Sequence, residues 1–224
     1  MPTQESHICG VNLHRAFTIG EKTIEVLRGV DLEVKRGEKL FLCGASGAGK
    51  TSLLYTLAGL ERPNQGSVEI NGQSLYDLPA HEQARLRNQF MGYVFQHYFL
   101  LPELTAIENV LLPAMIGRKV AEDRAKEMMT KIGLGDRLNH LPAELSGGEQ
   151  QRVAIARSLI NDPEIIFADE PTGNLDSKTG AEVMAALLEM TGEQDKTLVV
   201  VTHDNELAQT GDRQLVLADG KLVS

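Results

Sequence analysis

Cysteine, cationic charge and long apolar runs are all scarce in this chain of 224 residues, and each scarcity removes a class of protein. The two cysteines, Cys9 and Cys43, form neither a metal-ligand spacing nor a disulfide framework. Cys43 closes a short apolar stretch, where it reads as a buried, reduced thiol. Only 22 basic residues stand against 31 acidic ones, and the formal charge of −9 argues against non-specific nucleic-acid binding as the main role. No stretch approaches the roughly 20 apolar residues that cross a bilayer. Met1-Pro2-Thr3-Gln4-Glu5-Ser6-His7 lacks the basic start and apolar run of a signal peptide. The expectation is a soluble, cytoplasmic chain; if it works at a membrane, another polypeptide supplies the membrane part. Repeats, low-complexity tracts and linkers are missing as well, and a hydrophobic content of 42% supports a packed core.

What is present begins with Gly44-Ala45-Ser46-Gly47-Ala48-Gly49-Lys50-Thr51, which fits the G-x-x-x-x-G-K-[ST] phosphate loop at every fixed position. The preceding Lys39–Cys43 reads as a short buried strand and the following Ser52–Ala58 as a helix, which is the context the loop requires. Glycines let backbone amides turn inward on a polyphosphate, and the helix N-terminus adds partial positive charge. Lys50 would reach the β- and γ-phosphates, and the Thr51 hydroxyl would ligate Mg²⁺, with Ser52 beside it.

Strand patterns precede this loop at Ile8–Leu13, Thr23–Leu27 and Val30–Val34, separated by polar or Gly-bearing turns. Beyond it, Ser67–Ile70 and Met91–Phe95 read as strands, and Asn71-Gly72 is a hairpin signal. Residues 103–160 are helical in pattern, with breaks expected at Pro113, Gly133–Gly135 and Pro142. Strand signals resume at Glu164–Ala168 and Thr197–Thr202. Arg213–Leu217 and Lys221–Val223, joined by Asp219-Gly220, make a closing hairpin. The expected organisation is one α/β domain over residues 1–224, with a helical subdomain at about 86–161.

Several strands deliver polar side chains at their ends, where parallel α/β sheets bind ligands. Ile165-Ile166-Phe167-Ala168 ends in Asp169-Glu170. Asp169 is placed to hold Mg²⁺ through water, and Glu170 to polarise the water that attacks a γ-phosphate. Alone, such acids often just cap the next helix; beside a phosphate loop the functional reading is favoured. Thr197–Thr202 delivers His203 in the same manner, a candidate donor to the γ-phosphate, and Tyr93-Val94-Phe95 delivers Gln96, a further candidate for the metal and nucleotide. In Leu145-Ser146-Gly147-Gly148-Glu149-Gln150, Ser146 can cap the following helix, while Gly147 and Gly148 expose backbone amides for a second anion site.

In this order, Gly44–Thr51, Gln96, Leu145–Gln150, Asp169-Glu170, Asn174-Leu175-Asp176 and His203 resemble the ATP-binding subunits of ABC transporters, and the resemblance covers essentially the whole chain. It implies a P-loop NTPase fold: a RecA-like core sheet, an N-terminal antiparallel β subdomain and a helical signature subdomain. It also implies that Ser146, Gly147, Gly148 and Glu149 meet the ATP held by the phosphate loop of a second copy, so that a head-to-tail dimer sandwiches two ATP molecules. Asp176 then belongs to a loop crossing that interface. Phe17 matches the aromatic that stacks on adenine, a position commonly held by Tyr.

Within the family, Gly92–Gln96, Leu100–Val110 and Ala168–Asp176 resemble the subgroup that drives mechanotransmitting permeases, most of all the ATPases of lipoprotein-releasing systems. ATPases of macrolide efflux, peptide resistance and cell division share most of these residues, and nutrient importers are a more distant alternative. The resemblance implies peripheral attachment to the cytoplasmic face of the inner membrane through integral-membrane permease subunits, with no nucleic-acid partner. The chain has four Tyr and six Phe, and three of these ten, Phe95, Tyr98 and Phe99, crowd beside Gln96. The resemblance makes this region the groove for a short permease helix. Rival ATPases fit poorly. The 94 residues between Thr51 and Ser146 hold no long coiled coil or zinc insert, there is a single cassette, and a GTPase Asn-Lys-x-Asp base reader is missing.

Overall fold

The computed structural model describes residues 6–192 and 196–223, so Met1–Glu5, on which most of the N-terminal reading rests, lies outside them. The chain divides into two compact units, Met1–Ala84 with Thr197–Ser224, and Arg85–Lys196. Among the described residues no helix is long and apolar enough to cross a membrane.

The first unit opens with a long antiparallel hairpin, β1 (Ser6–Ile19) and β2 (Lys22–Lys35). Three short strands were expected here, and two of 14 residues each are found. The expected turn at Gly20 is present, between β1 and β2, whereas the interruption at Arg28-Gly29 is a bulge within β2 rather than a turn. Register shifts fall at Gly10/Leu13, Leu13/His14 and Arg15/Ala16, and Asn12 takes a left-handed φ of 49°. A bulge absorbs an extra residue without ending the ladder, so the sequence signal of a break survives while the strand continues. β4 (Gln65–Ile70) pairs with β1, and β5 (Gln73–Ser74) pairs with β4 across the expected Asn71-Gly72 turn. That turn has φ values of 52° and 73°, the two left-handed residues a type I′ hairpin needs.

β3 (Lys39–Cys43) runs parallel to both β8 (Thr197–Val201) and β9 (Arg213–Ala218), and β10 (Lys221–Leu222) closes antiparallel on β9. Leu40, Phe41, Leu42 and every residue of β8 are buried, as a parallel strand covered on both faces requires. Each such Leu or Val side chain contributes about 1.5–3 kcal/mol of burial free energy. α1 (Lys50–Leu57) packs on β8, β1 and β2 through Leu53, Leu54 and Leu57. Both cysteines are free and buried, and burial raises their thiol pKa values, which fits the inert reading of Cys43.

The second unit begins within α2 (Ala80–Phe90) and carries the parallel pair β6 (Met91–Val94) and β7 (Ile165–Asp169) with helices α3 (Ala106–Ile116), α4 (Glu122–Lys131), α5 (Gly147–Leu159) and α6 (Ser177–Gly192). The break expected at Pro113 does not occur: Pro113 lies inside α3. The helix ends three residues later, so the missing N–H costs a single bond in its last turn. The Pro113 carbonyl is meanwhile held by Asn88 and Asn161 Nδ2 at 2.9 and 3.0 Å. α5 is the spine of this unit, buried along Val153, Ala154, Ile155, Ala156 and Leu159 and in contact with α3, α4, α6 and β6. Asp162, after α5, accepts from Lys196 Nζ at 2.9 Å and from Arg124 at 3.1 Å.

Gly92 in β6 lets the strand approach α5 so closely that a Cβ there would lie 2.3 Å from the Ser158 carbonyl oxygen. Backbone has no flexible end to swing aside. Gly92→Ala should therefore cost about 1–3 kcal/mol, the range for overpacking a well-packed interior. Urea unfolding curves that coincide with wild type would refute this account of the β6–α5 contact.

Candidate functional site

The phosphate loop has the backbone its sequence predicts. Gly44, Gly47 and Gly49 have φ values of 139°, 78° and 103°. At Gly44 a Cβ would stand 2.2 Å from the Leu217 carbonyl oxygen, and at Gly49 it would stand 2.6 Å from that of Val26. These two positions exclude every side chain on both counts. Gly49 precedes α1 without contributing a side-chain cap, so the first N–H groups of that helix face the loop with no side chain spent on them from Gly49. Ala45, Ser46, Gly47 and Thr51 are exposed, whereas Ala48 and Lys50 are buried. Lys50 Nζ donates to the Gly44 and Ala45 carbonyls at 2.9 and 3.0 Å, folding the ammonium back across the loop. Ser52 is half-buried on the first turn of α1.

Two more predicted residues belong to this unit. Phe17, half-buried, pairs with Ile24 across the β1–β2 hairpin, and the Arg15 guanidinium lies 4.4 Å over its ring. One face of the ring is therefore already a cation–π contact. His203 is exposed just after β8. Its neighbour Asp204 caps α7 (Asn205–Ala208) by accepting from the Glu206 and Leu207 N–H groups at 2.9 and 3.1 Å.

The second unit gathers the others. β7 carries Asp169 at its buried end, 7% exposed, and the chain turns at once through Glu170, whose φ is 43°. A left-handed non-glycine residue costs roughly 1–2 kcal/mol. It is held by the Gly173 N–H donating to the Glu170 carbonyl at 3.0 Å. A Cβ at Gly173 would meet Gln96 Nε2 at 2.9 Å and Glu170 Oε2 at 3.2 Å, so the two predicted polar groups border one space that glycine keeps open. Gln96 is oriented by a residue that sequence reasoning passed over as a ligand. Gln96 Nε2 donates to Asn174 Oδ1 at 3.2 Å, and Asn174 Nδ2 donates back to the Gln96 carbonyl at 2.9 Å.

Ser146 caps α5 as expected, and the cap is a reciprocal box. The Ser146 hydroxyl accepts from the Glu149 N–H at 3.3 Å, and the Glu149 carboxylate accepts from the Ser146 N–H at 2.8 Å and pairs with Arg137 at 3.3 Å. Hydrogen bonds from the Ser146 backbone, then its hydroxyl and Arg137, hold the Glu149 carboxyl below its usual range. Gly147 and Gly148 also serve packing: Cβ atoms there would stand 2.9 Å from the Tyr98 hydroxyl and 2.4 Å from Thr179 Cγ2. Asp176 accepts from the Lys178 and Thr179 N–H groups at 3.1 Å each, capping α6, and Thr179 lowers its pKa.

Two residues of α5 escaped the sequence reading altogether. Gln151 is fully buried, and its Nε2 donates to the Phe95 and Pro171 carbonyls at 3.2 and 2.6 Å, linking the residues that follow β6 and β7. A polar residue on the buried Gly148–Ile155 face of an apolar helix was the available signal. Arg157 donates to the Tyr98 and Phe99 carbonyls at 2.5 and 2.6 Å. Those two residues share a φ of 47°. Each left-handed residue costs roughly 1–2 kcal/mol, and a hydrogen bond from a charged donor returns about 1.5–3, so Arg157 is enough to hold the pair.

The aromatic cluster divides. Tyr93 stacks on Phe167 and Phe95 at 6.1 and 6.2 Å, and Phe95 meets Phe99 edge-on at 5.3 Å. Tyr98 is half-buried along α5, whereas Phe99 and Leu101 are 61% and 46% exposed. Burial raises the Tyr98 hydroxyl pKa.

These features define a nucleotide-binding cassette, and the chain belongs to the ABC transporter family, whose model matches residues 27–173. It is 48% identical over 223 residues to the lipoprotein-releasing system ATP-binding protein LolD of Shewanella frigidimarina, covering 98% of this chain and 93% of that protein. It is 46% identical to the protein of the same name from Hydrogenovibrio crunogenus, covering 95% and 94% of the two chains. Among solved structures it resembles the ATP-binding cassette MJ0796, in a dimeric post-hydrolysis state bound to ADP and Pi. The TM-score is 0.90 and the identity 41%, with 97% of each chain covered. Fold and family thus agree with the sequence-based expectation of an ABC ATPase.

The Glu149 box generates a pH prediction. Its folded-state pKa lies below the ordinary 4.5, so its contribution is fully present above that value and is lost as pH falls through the folded pKa. Wild type should exceed Glu149→Gln in stability at pH 7, and the gap should shrink as pH drops below about 4.5. Denaturant midpoints whose difference is flat from pH 7 to 3.5 would rule out a charge-dependent box.

Proposed function

We propose that this chain is the ATP-hydrolysing subunit of an ABC transporter that releases lipoproteins from the inner membrane toward the outer membrane. It works as a single ATP-binding domain spanning residues 1–224, with its signature helix in a helical subdomain of about 86–161. The observation that carries the reading is similarity along 98% of the chain to a LolD protein, in a sequence whose own phosphate loop has the required backbone. The chain sits at the cytoplasmic face of the membrane, held there by integral-membrane permease subunits.

In this mechanism the amides of Gly44–Thr51 receive the triphosphate, and Lys50 exchanges its two loop carbonyls for phosphate oxygens. Thr51, Asp169 and Gln96 supply oxygen donors that suit Mg²⁺, which would neutralise phosphate charge when bound. Among the described residues no three His, Cys, Asp or Glu side chains cluster as a metal cage, and this fits an ion held largely by phosphates and water. Glu170 accepts a proton from the attacking water, and His203 donates toward the γ-phosphate. Phe17 offers its face opposite Arg15 to adenine. Ser146–Glu149 of one copy closes on the nucleotide of the other, with Asp176 at the crossing.

Glu170→Gln should keep ATP binding while turnover falls by about 10²–10⁴-fold, the range for losing a general base. The same variant with ATP should sediment as a dimer, since the γ-phosphate joining the copies persists. ATP turnover equal to wild type would remove Glu170 from the chemistry. A strictly monomeric Glu170→Gln protein at saturating ATP would count against the sandwich.

The partner is tested at the exposed aromatic. Phe99→Glu should abolish co-purification with the permease subunits, because a helix seated in an apolar groove would meet a buried charge. In cells, depletion of the chain should halt lipoprotein release. If release continued while sensitivity to a macrolide or antimicrobial peptide appeared, the substrate assignment would move to the efflux relatives.

A further inference from the structure

The loop that follows β6 is gripped by α5 at two separated points. At the C-terminal side of the helix, the Arg157 guanidinium spends two N–H groups on consecutive carbonyls, those of Tyr98 and Phe99, at 2.5 and 2.6 Å. At the N-terminal end, the Tyr98 hydroxyl lies against Gly147, where a Cβ would approach it to 2.9 Å. Gly147 and Arg157 are ten residues apart, about 15 Å along a helix axis. Tyr98 therefore lies along the helix, its carbonyl at one grip and its hydroxyl at the other. Gln151, between them, donates at 3.2 Å to the Phe95 carbonyl just upstream.

The backbone at the grip is not one the residues adopt by themselves. Tyr98 and Phe99 both have φ near 47°, and the Phe99 N–H turns back onto the His97 carbonyl. Left-handed aromatic residues in sequence require outside restraint. Arg157 makes no ion pair among the described residues, and burial pulls its pKa down to about 10, so it stays charged at neutral pH with its hydrogen bonds directed at these carbonyls. The two carbonyls are met by two different nitrogens of one planar guanidinium, Nη1 on Phe99 and Nη2 on Tyr98, a spread that the one-nitrogen head of a lysine on its shorter stem does not match.

We propose that Arg157 is a positioning residue that fixes the 97–99 turn to the signature helix, so that Gln96, the exposed Phe99 surface and the Ser146 end of α5 move as one body. This rests on the reading of Phe99 as part of the permease-docking surface. It adds that the surface is carried by α5 rather than by the flexibility of its own loop, so that docking and signature movement are transmitted through one guanidinium.

The test uses Arg157→Lys in the intact chain, alone and assembled with its co-purified permease. Leu159→Ala serves as a control for destabilisation of the same helix, with thermal melting used to compare the two. In the isolated chain, chymotrypsin cleavage after Tyr98 and Phe99 should rise about tenfold in Arg157→Lys and not in Leu159→Ala. In the assembly, the ratio of permease-stimulated to unstimulated ATPase should fall at least fivefold in Arg157→Lys and not in the control. Unchanged cleavage would overturn the grip itself. Raised cleavage with an undiminished ratio would overturn its role in transmission, as would an equal fall in both variants. A separate result marks failure of the underlying reading: if Phe99→Glu keeps its permease, the docking surface lies elsewhere.

Discussion

The second unit depends on one buried carboxamide. Gln151 sits fully buried among apolar side chains, and its Nε2 reaches the carbonyls of both Phe95 and Pro171. Those carbonyls belong to the segments that leave two parallel strands, where the ladder has ended and backbone groups need new partners. Burying such a polar group is costly unless it is bonded; Nε2 is bonded twice while Oε1 has no partner among the described residues, so the hold on the two segments comes from Nε2. The two departures are thus constrained together: the turn after β7, which bears Glu170, and the loop after β6, which bears Gln96, are referred to the same side chain. Positions downstream inherit this arrangement, including the Asn174 bridge to Gln96 at 3.2 Å.

Among the described α-helices, α1 and α5 have glycine at their starts, and these two ends are finished differently. At α1 the preceding residue is Gly49, which offers no side-chain cap. At α5 the box of Ser146 and Glu149 satisfies the cap internally. The first, without a side-chain cap, suits the phosphate role proposed for it. The second is built to be rigid before any partner arrives, with Gly147 and Gly148 packed against Tyr98 and Thr179. This asymmetry suits the roles proposed above, a loop for nucleotide in its own chain and a signature for the nucleotide of another.

Among the described residues, and apart from Asn and Asp, non-glycine left-handed backbone falls at Arg118 and at three positions proposed for chemistry or docking. Glu170, Tyr98 and Phe99 all occupy left-handed backbone without being glycine. Each is held by identifiable bonds: the Gly173 N–H on the Glu170 carbonyl, and Arg157 on the carbonyls of Tyr98 and Phe99. A side chain aimed from a strained turn is set by its supports rather than by its own preferences, which is how a carboxylate or an aromatic can be presented at an angle that a regular strand or helix would not give.

Much of this was legible in the residues themselves. The phosphate loop, the buried strands before it and at β7 and β8, the Ser146 cap and the two Gly-containing hairpin turns follow from local rules of backbone freedom, side-chain periodicity and capping, which act over a few neighbouring residues. The continuity of β1 and β2 was not legible, because a bulge and a turn share the same local residues and differ only in whether a partner strand continues the ladder. Nor was the persistence of α3 through Pro113, since the one bond lost near its end is outweighed by packing on α5, which is a tertiary contact. The roles of Gln151, Arg157 and Asn174 were decided by tertiary structure alone. Each acts on a carbonyl or amide at least 20 residues away in sequence, and no local rule says which backbone group a long polar side chain will reach.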